Sequence, residues 1–412
     1  MRKEQLHCMN ELVITNYKNS IISAIYKDKQ MVQVSACRKK ATVYIGNIYV
    51  ARIDNIVKNI NAAFVKISDD ISCYLELSGI KNPIFVKKQS EKKISIGDEL
   101  IVQVIKEDVK TKAPVVTANF SLTGKYIALV HGTSKVQISK KILKRSLRTK
   151  LKNEFTEFLE DSFSIVIRTN AQYASLEEVK KELEGLIKEY KRITVNGIHQ
   201  MKYSMLFQEV PPYLQQFRDS EEYSIDKMIT NIPAIYKEFQ WYLKKYPAKM
   251  SEDTLFMQEL VDDANELVIR YKINHFMDKA LQRTVYLDSG ATIVIEPTEA
   301  LTVIDVNTGK AITKKRVTED TFFAINMEAA KEIATQIRLR NLSGIILIDF
   351  INLSSEEQKE KLKEELKNLF KDDPIQTEVI DFTKLGLMEI TRKKVLKTLA
   401  EQIADIQIMN EV

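Results

Sequence analysis

Leu301-Thr302-Val303-Ile304-Asp305 and Ile345-Ile346-Leu347-Ile348-Asp349 are two short apolar runs, each closed by an aspartate. Between them, from Thr318 to Asn341, Phe322, Ile325, Ala329, Ile333 and Ile337 recur at three- and four-residue intervals, the spacing of an amphipathic helix. The segment therefore reads strand, helix, strand. Two strands of one sheet joined by a crossover helix form a right-handed parallel unit in nearly all cases, so their carboxyl ends share an edge. Ligands of α/β sheets gather outside such edges. Two carboxylates brought together there repel one another, and a hard divalent cation relieves the repulsion. Mg²⁺ suits the pair, because one or two carboxylates typically hold it while waters and substrate phosphates complete its octahedron. Aspartate after a strand is also a common turn former or helix N-cap, and Asn307-Thr308-Gly309 has the composition of an ordinary turn. On pattern alone both readings stand.

Longer stretches separate them. Thr298 to Gly309 and Gln336 to Ile351 resemble the catalytic segment of the ribonuclease E/G family, and Leu385 to Lys394 is similar to the segment shortly before that family's zinc-binding cysteines. The three occur in the family's order. The resemblance implies that Asp305 and Asp349 hold a catalytic Mg²⁺, with Mn²⁺ as a substitute, and that Asn307 supports them. It implies an endoribonuclease that hydrolyses single-stranded RNA, ribosomal precursors or messengers, to 5′-phosphate and 3′-hydroxyl products. Arg392 and Lys393 become basic candidates for RNA contact near the site, although charges on a helix surface explain them equally well.

The bulk composition agrees. At 412 residues the chain has room for two to four domains, and 44% hydrophobic with 29% charged residues is ordinary globular usage. No run approaches the ~20 apolar residues of a membrane span, and the start Met1-Arg2-Lys3-Glu4-Gln5 lacks a signal-peptide core, so a cytosolic protein is expected. Cys8, Cys37 and Cys73 are widely spaced and contain no Cys-x-x-Cys, which supports neither a disulfide framework nor a zinc site. His7, His131, His199 and His275 have no metal spacing, and no nucleotide-binding glycine loop occurs. The net charge of +6 comes in clusters such as Lys87-Lys88, Lys140-Lys141, Lys144-Arg145 and Lys314-Lys315-Arg316. Such clusters suit a polyanion through counterion release, while a solvated face is the commoner explanation of any one of them.

Five strand-like segments between residues 41 and 118 predict a small closed barrel of the oligonucleotide-binding type: 43–53, 62–67, 73–77, 99–105 and 115–117. Their order resembles an S1 domain. That resemblance implies RNA stacking by Phe64 and Tyr74, with Lys112 as a basic partner, although apolar Ala63 and Val65 leave a core position open for Phe64. Residues 119–212 read as a mixed unit with a strand at Phe163–Thr169 and a helix opened by Ser175-Leu176-Glu177-Glu178. Arg168-Thr169 matches the family's 5′-monophosphate sensor. Val136-Gln137 replaces the usual Gly-Gly of the partner loop, and a surface salt bridge is the alternative role for Arg168.

By resemblance, residues 1–40, a hairpin turning at Asn16–Asn19, join 213–280 as a discontinuous ribonuclease H-like subdomain with an aromatic core. The resemblance further implies an α/β, DNase I-like catalytic domain over residues 281–400, followed by a tail over 401–412. The expected whole is thus an α/β and α+β multidomain protein. No Cys-Pro-x-Cys follows Lys394, so no zinc link is expected; a helix from Lys394 to Gln407 is expected either to dock on the catalytic domain or to dimerise, and oligomeric state stays open. The rival reading is a non-catalytic, S1-type RNA-binding or ribosome-associated protein whose aspartates only cap turns.

Overall fold

The structure, a computed structural model, describes residues 10–38, 45–90, 94–106, 113–220, 225–245, 256–310, 318–371 and 373–408. The chain divides into two compact units, one of residues 1–39 and 220–412, the other of residues 40–219. The fold is the expected mixture of α/β and α+β parts around an inserted barrel. The helix Pro212–Asp219 falls in the second unit, so the division comes a few residues later than the sequence suggested.

The first unit begins with a hairpin, Asn10–Tyr17 and Ser20–Lys27, whose turn is shorter than expected. Cross-strand pairing continues to Tyr17 and Ser20, leaving only Lys18-Asn19, with Lys18 in the left-handed region at φ 51°. A third antiparallel strand, Gln30–Arg38, follows. Lys227–Thr230 then adds in parallel to the first strand, and Met257–Leu260 in parallel to that, completing a five-stranded mixed sheet from the two separate segments. Phe239 and Tyr242 are buried as expected, but Trp241 is 55% exposed and departs from the aromatic-core expectation. The supposed tail is a helix, Leu399–Ile408. Leu399 and Ile403 enter the core beneath the hairpin, and Gln402 accepts a hydrogen bond from the Ala36 amide at 2.8 Å. It starts five residues later than expected, with Val395 and Leu396 exposed before it.

The remainder of this unit is a six-stranded sheet in the order Thr284–Tyr286, Thr292–Pro297, Leu301–Asn307, Gly344–Asp349, Met388–Arg392, Thr377–Phe382. The predicted crossover helix spans Glu319–Leu339, opened by a Thr318/Thr321 capping box. Together with the helix Glu356–Phe370 it covers one face of the sheet. Ile304, Val306, Ile346 and Ile348 meet Ile325, Ala329, Ile333, Leu362 and Leu366 there, all nearly inaccessible. Each fully buried aliphatic side chain of this kind contributes ~1.5–3 kcal/mol. The period of two along the strands leaves the alternate residues on the opposite, open face.

In the second unit all five barrel strands form, as Ile48–Val57, Ala62–Lys66, Ser72–Glu76, Glu99–Lys106 and Val115–Thr117. Pairing of the first with the fourth closes the barrel, and the third runs parallel to the fifth. A returning strand, Met205–Phe207, adds to the barrel at Ile48–Tyr49, which the sequence did not announce. The neighbouring sheet orders Ser121–Thr123, Ile127–His131, Phe163–Ile167 and Val136–Ile138. The helix Leu176–Lys191 packs on it, opened by the expected capping box of Ser175 and Glu178.

Candidate active site

The two aspartate strands run parallel in a register that pairs Asp305 directly with Asp349. Their Cα atoms are thus one inter-strand spacing apart, ~4.8 Å, and their side chains leave the same face of the sheet. That face is the open one, since Ile304, Val306 and Ile348 on either side are buried against the helices. The sequence reading put the carboxylates beyond the strand ends. For Asp305 this is corrected: its strand continues to Asn307, so the site begins on the sheet surface rather than past its edge.

Asn307 shares the face at the i+2 position, and its Nδ2 donates to Asp305 Oδ2 at 2.7 Å. The bond fixes one oxygen of the carboxylate and leaves the other directed elsewhere. Neither aspartate has a cationic partner among the described residues. Two adjacent carboxylates without a counter-charge, in reach of solvent, are a donor set that fits Mg²⁺. No group of three His, Cys, Asp or Glu side chains gathers among the described residues.

The crossover helix holds the loops around the site, a role the sequence reading missed. Asn326, fully buried on its inner face, donates to the Ile351 carbonyl at 2.7 Å and accepts from the Ile351 amide at 3.0 Å, two residues after Asp349. Glu319 accepts from the amides of Ser354 and Ser355 at 2.6 and 2.8 Å. Glu328 accepts from the Ser289 amide, fixing the turn on which Gly309 rests. A Cβ at Gly309 would lie 2.5 Å from the Gly290 carbonyl oxygen, and its φ is +50°, so the turn after Asn307 requires glycine. The readable signal was Asn326 interrupting the apolar stripe between Phe322 and Ala329.

Arg392 is a correction. It alternates with buried Met388 and Ile390, and its side chain is only 3% exposed. Nε and Nη2 reach the Asp373 carboxylate at 2.8 and 3.2 Å, while Nη1 donates to Asn341 Oδ1 and the Leu342 carbonyl. With its donors engaged inside the unit, Arg392 is a structural residue with no surface to offer RNA. Lys393, one residue on, is exposed.

On the barrel, Phe64 and Tyr74 are cross-strand partners with ring centroids 6.1 Å apart, edge to face. Both are half-buried and point outward, between the fully buried pairs Ala63 with Leu75 and Val65 with Cys73. The core position left open for Phe64 is thereby excluded. Burial pushes the Cys73 thiol up to about 12, so that cysteine is inert. Lys112 lies outside the described residues. In the neighbouring sheet, Arg168 forms an ion pair with Asp219 at 2.8 Å and also donates to the Gly124 carbonyl, while the Thr169 hydroxyl bonds Ser139 Oγ at 2.8 Å. Both groups thus have protein partners, and the surface salt bridge weighed for Arg168 is present.

The sequence model of the ribonuclease E/G family matches residues 121–395. The chain belongs to that family, which makes it an endoribonuclease. It is 28% identical to ribonuclease G of Salmonella typhimurium over 360 residues, 85% of this chain and 73% of the relative. It is 28% identical to ribonuclease G of Haemophilus influenzae over 96% of this chain and 82% of the relative. Ribonuclease E of Synechocystis is also 28% identical, over 94% of this chain but 57% of its own length. No helix among the described residues is long and apolar enough to cross a membrane.

Proposed function

We propose that the protein is a Mg²⁺-dependent endoribonuclease that hydrolyses single-stranded RNA, ribosomal precursors or messengers, to 5′-phosphate and 3′-hydroxyl ends. The observation that carries the proposal is the direct pairing of Asp305 with Asp349 on the open face of the sheet. In this reading the two carboxylates hold the ion, and Asn307 fixes the orientation of Asp305. The ion, when bound, supplies polarisation of the scissile phosphodiester and offsets charge that builds on its oxygens. Lys393 adds positive charge for the strand. Arg168 and Thr169 contact a 5′-phosphate only by exchanging Asp219 and Ser139 for it. The test is cleavage of a 5′-monophosphorylated, AU-rich single-stranded RNA. Cleavage is expected with Mg²⁺ and none with chelator, with end-labelling reporting the two termini; equal cutting in chelator rules the proposal out.

Phe64 and Tyr74 serve as the stacking surface of the barrel. A stacked base contributes ~1–3 kcal/mol, so Phe64→Ala or Tyr74→Ala is expected to weaken RNA binding about tenfold or more. Their half-buried, outward position keeps the accompanying loss of thermal stability small. Unfolding of either variant at the assay temperature would instead return the rings to a core role.

A further inference from the structure

Residues 135–152 hold eight lysines and arginines and no aspartate or glutamate, in a chain whose acids nearly balance its bases at 56 against 62. The structure gathers them. Val136–Ile138 is the outer strand of its sheet, and the helix Arg145–Thr156 packs beside it through Leu151 and Phe155. Between them, Arg148 Nη1 donates to the carbonyls of Ser139 and Ile142 at 2.6 and 3.0 Å and folds the connecting loop over the first helical turn. Ile142 is buried as a result, and Lys140, Lys144, Arg145 and Lys152 are exposed.

Among the described residues the acids that follow the strip are engaged chiefly elsewhere, with Glu154 offsetting Lys150 in part. Glu154 and Glu157 turn to Lys180 at 2.5 and 3.8 Å, and beyond the helix Glu160 turns to Lys191 at 2.9 Å. The helix has no acidic residue in its first turn and no side-chain cap. Cations at the positive end of a helix dipole oppose helix stability, so folding gives no reason for placing them there. A polyanion does, because each phosphate neutralised releases counterions.

We infer that this strip is a second RNA-contact surface that takes the phosphate backbone of a single strand longer than the barrel accommodates. The inference rests on the RNA-cleaving reading above. It identifies backbone contact rather than base recognition, since the exposed groups are cationic and aliphatic.

The test measures binding of the full chain, in chelator to prevent cutting, to fluorescent oligouridylates of about 8 and about 30 nucleotides, the shorter matching the site size of one barrel. Wild type is expected to bind the longer RNA more tightly and with the steeper dependence on salt. A variant carrying Lys140→Gln, Lys144→Gln, Arg145→Gln and Lys152→Gln should bind the longer RNA at least about tenfold more weakly, its log–log salt slope reduced by up to about 3. Binding of the shorter RNA should stay at the wild-type level, and the variant with lysine and arginine exchanged at the four positions should bind both RNAs as wild type does. Unchanged affinity and slope for the longer RNA overturn the inference, as does an equal loss on both lengths. Failure of wild type to bind either RNA would overturn the RNA reading itself and this inference with it.

Discussion

Asp305→Asn is expected to cut RNA about a thousandfold more slowly than wild type while melting no lower than wild type in the absence of Mg²⁺. The rate follows from the several kcal/mol of charge stabilisation that a bound divalent ion supplies, each 1.36 kcal/mol being tenfold. The stability follows from the register. Asp305 and Asp349 face one another across a single strand spacing with no cationic partner among the described residues, so without an ion they repel. The amide has nearly the same volume and no charge, which removes the repulsion and leaves the strand pairing intact. Mg²⁺ should therefore raise the melting temperature of wild type, by binding the folded state, and leave that of the variant unmoved. A variant that cuts as fast as wild type, or one that gains the same thermal shift from Mg²⁺, removes Asp305 from the site. A functional pair held against its own repulsion is the pattern in which activity is gained at the expense of stability.

Arg392→Ala is expected to destabilise the first unit by about 3–5 kcal/mol, the usual cost of removing one partner of a buried ion pair. The Asp373 side chain is fully inaccessible, so the truncation leaves an uncompensated carboxylate in the interior as well as unpaired acceptors at Asn341 and Leu342. Urea denaturation followed through Trp241, which lies in this unit, gives the measurement. A change below about 1 kcal/mol, the range of exposed pairs, combined with weakened RNA binding, would restore the surface role first considered for this residue. Replacing Arg392 and Asp373 together by apolar residues of similar volume should recover much of the loss, because the desolvation penalty disappears with the second charge.

Arg392 also illustrates where local reading stops. Its charge and its place in Thr391-Arg392-Lys393-Lys394 suggest a surface cluster, while the alternation with Met388 and Ile390 places it on the buried face. The period was legible; the partner was not, because Asp373 is nineteen residues away and joins it only through strand pairing. Phe64 is the converse. Apolar neighbours suggested a core residue, and only barrel closure decided which parity faces inward. The interleaving of residues 10–38 with 227–260 into one sheet is likewise a long-range pairing for which hydrophobic periodicity carries no signal.

The sequence by itself determined the local elements and the chemistry they carry: two apolar strands each bearing an aspartate, the amphipathic helix between them, the five barrel strands and the capped helix opened by Ser175. These follow from side-chain period and capping, which act over a few residues. The tertiary structure alone decided that Asp305 and Asp349 share one rung and one open face, that Asn326 and Glu319 brace the loop beyond them, and that Arg392 is sealed away. Those outcomes depend on register and on which face the helices cover, and both are set by packing between segments far apart in the chain.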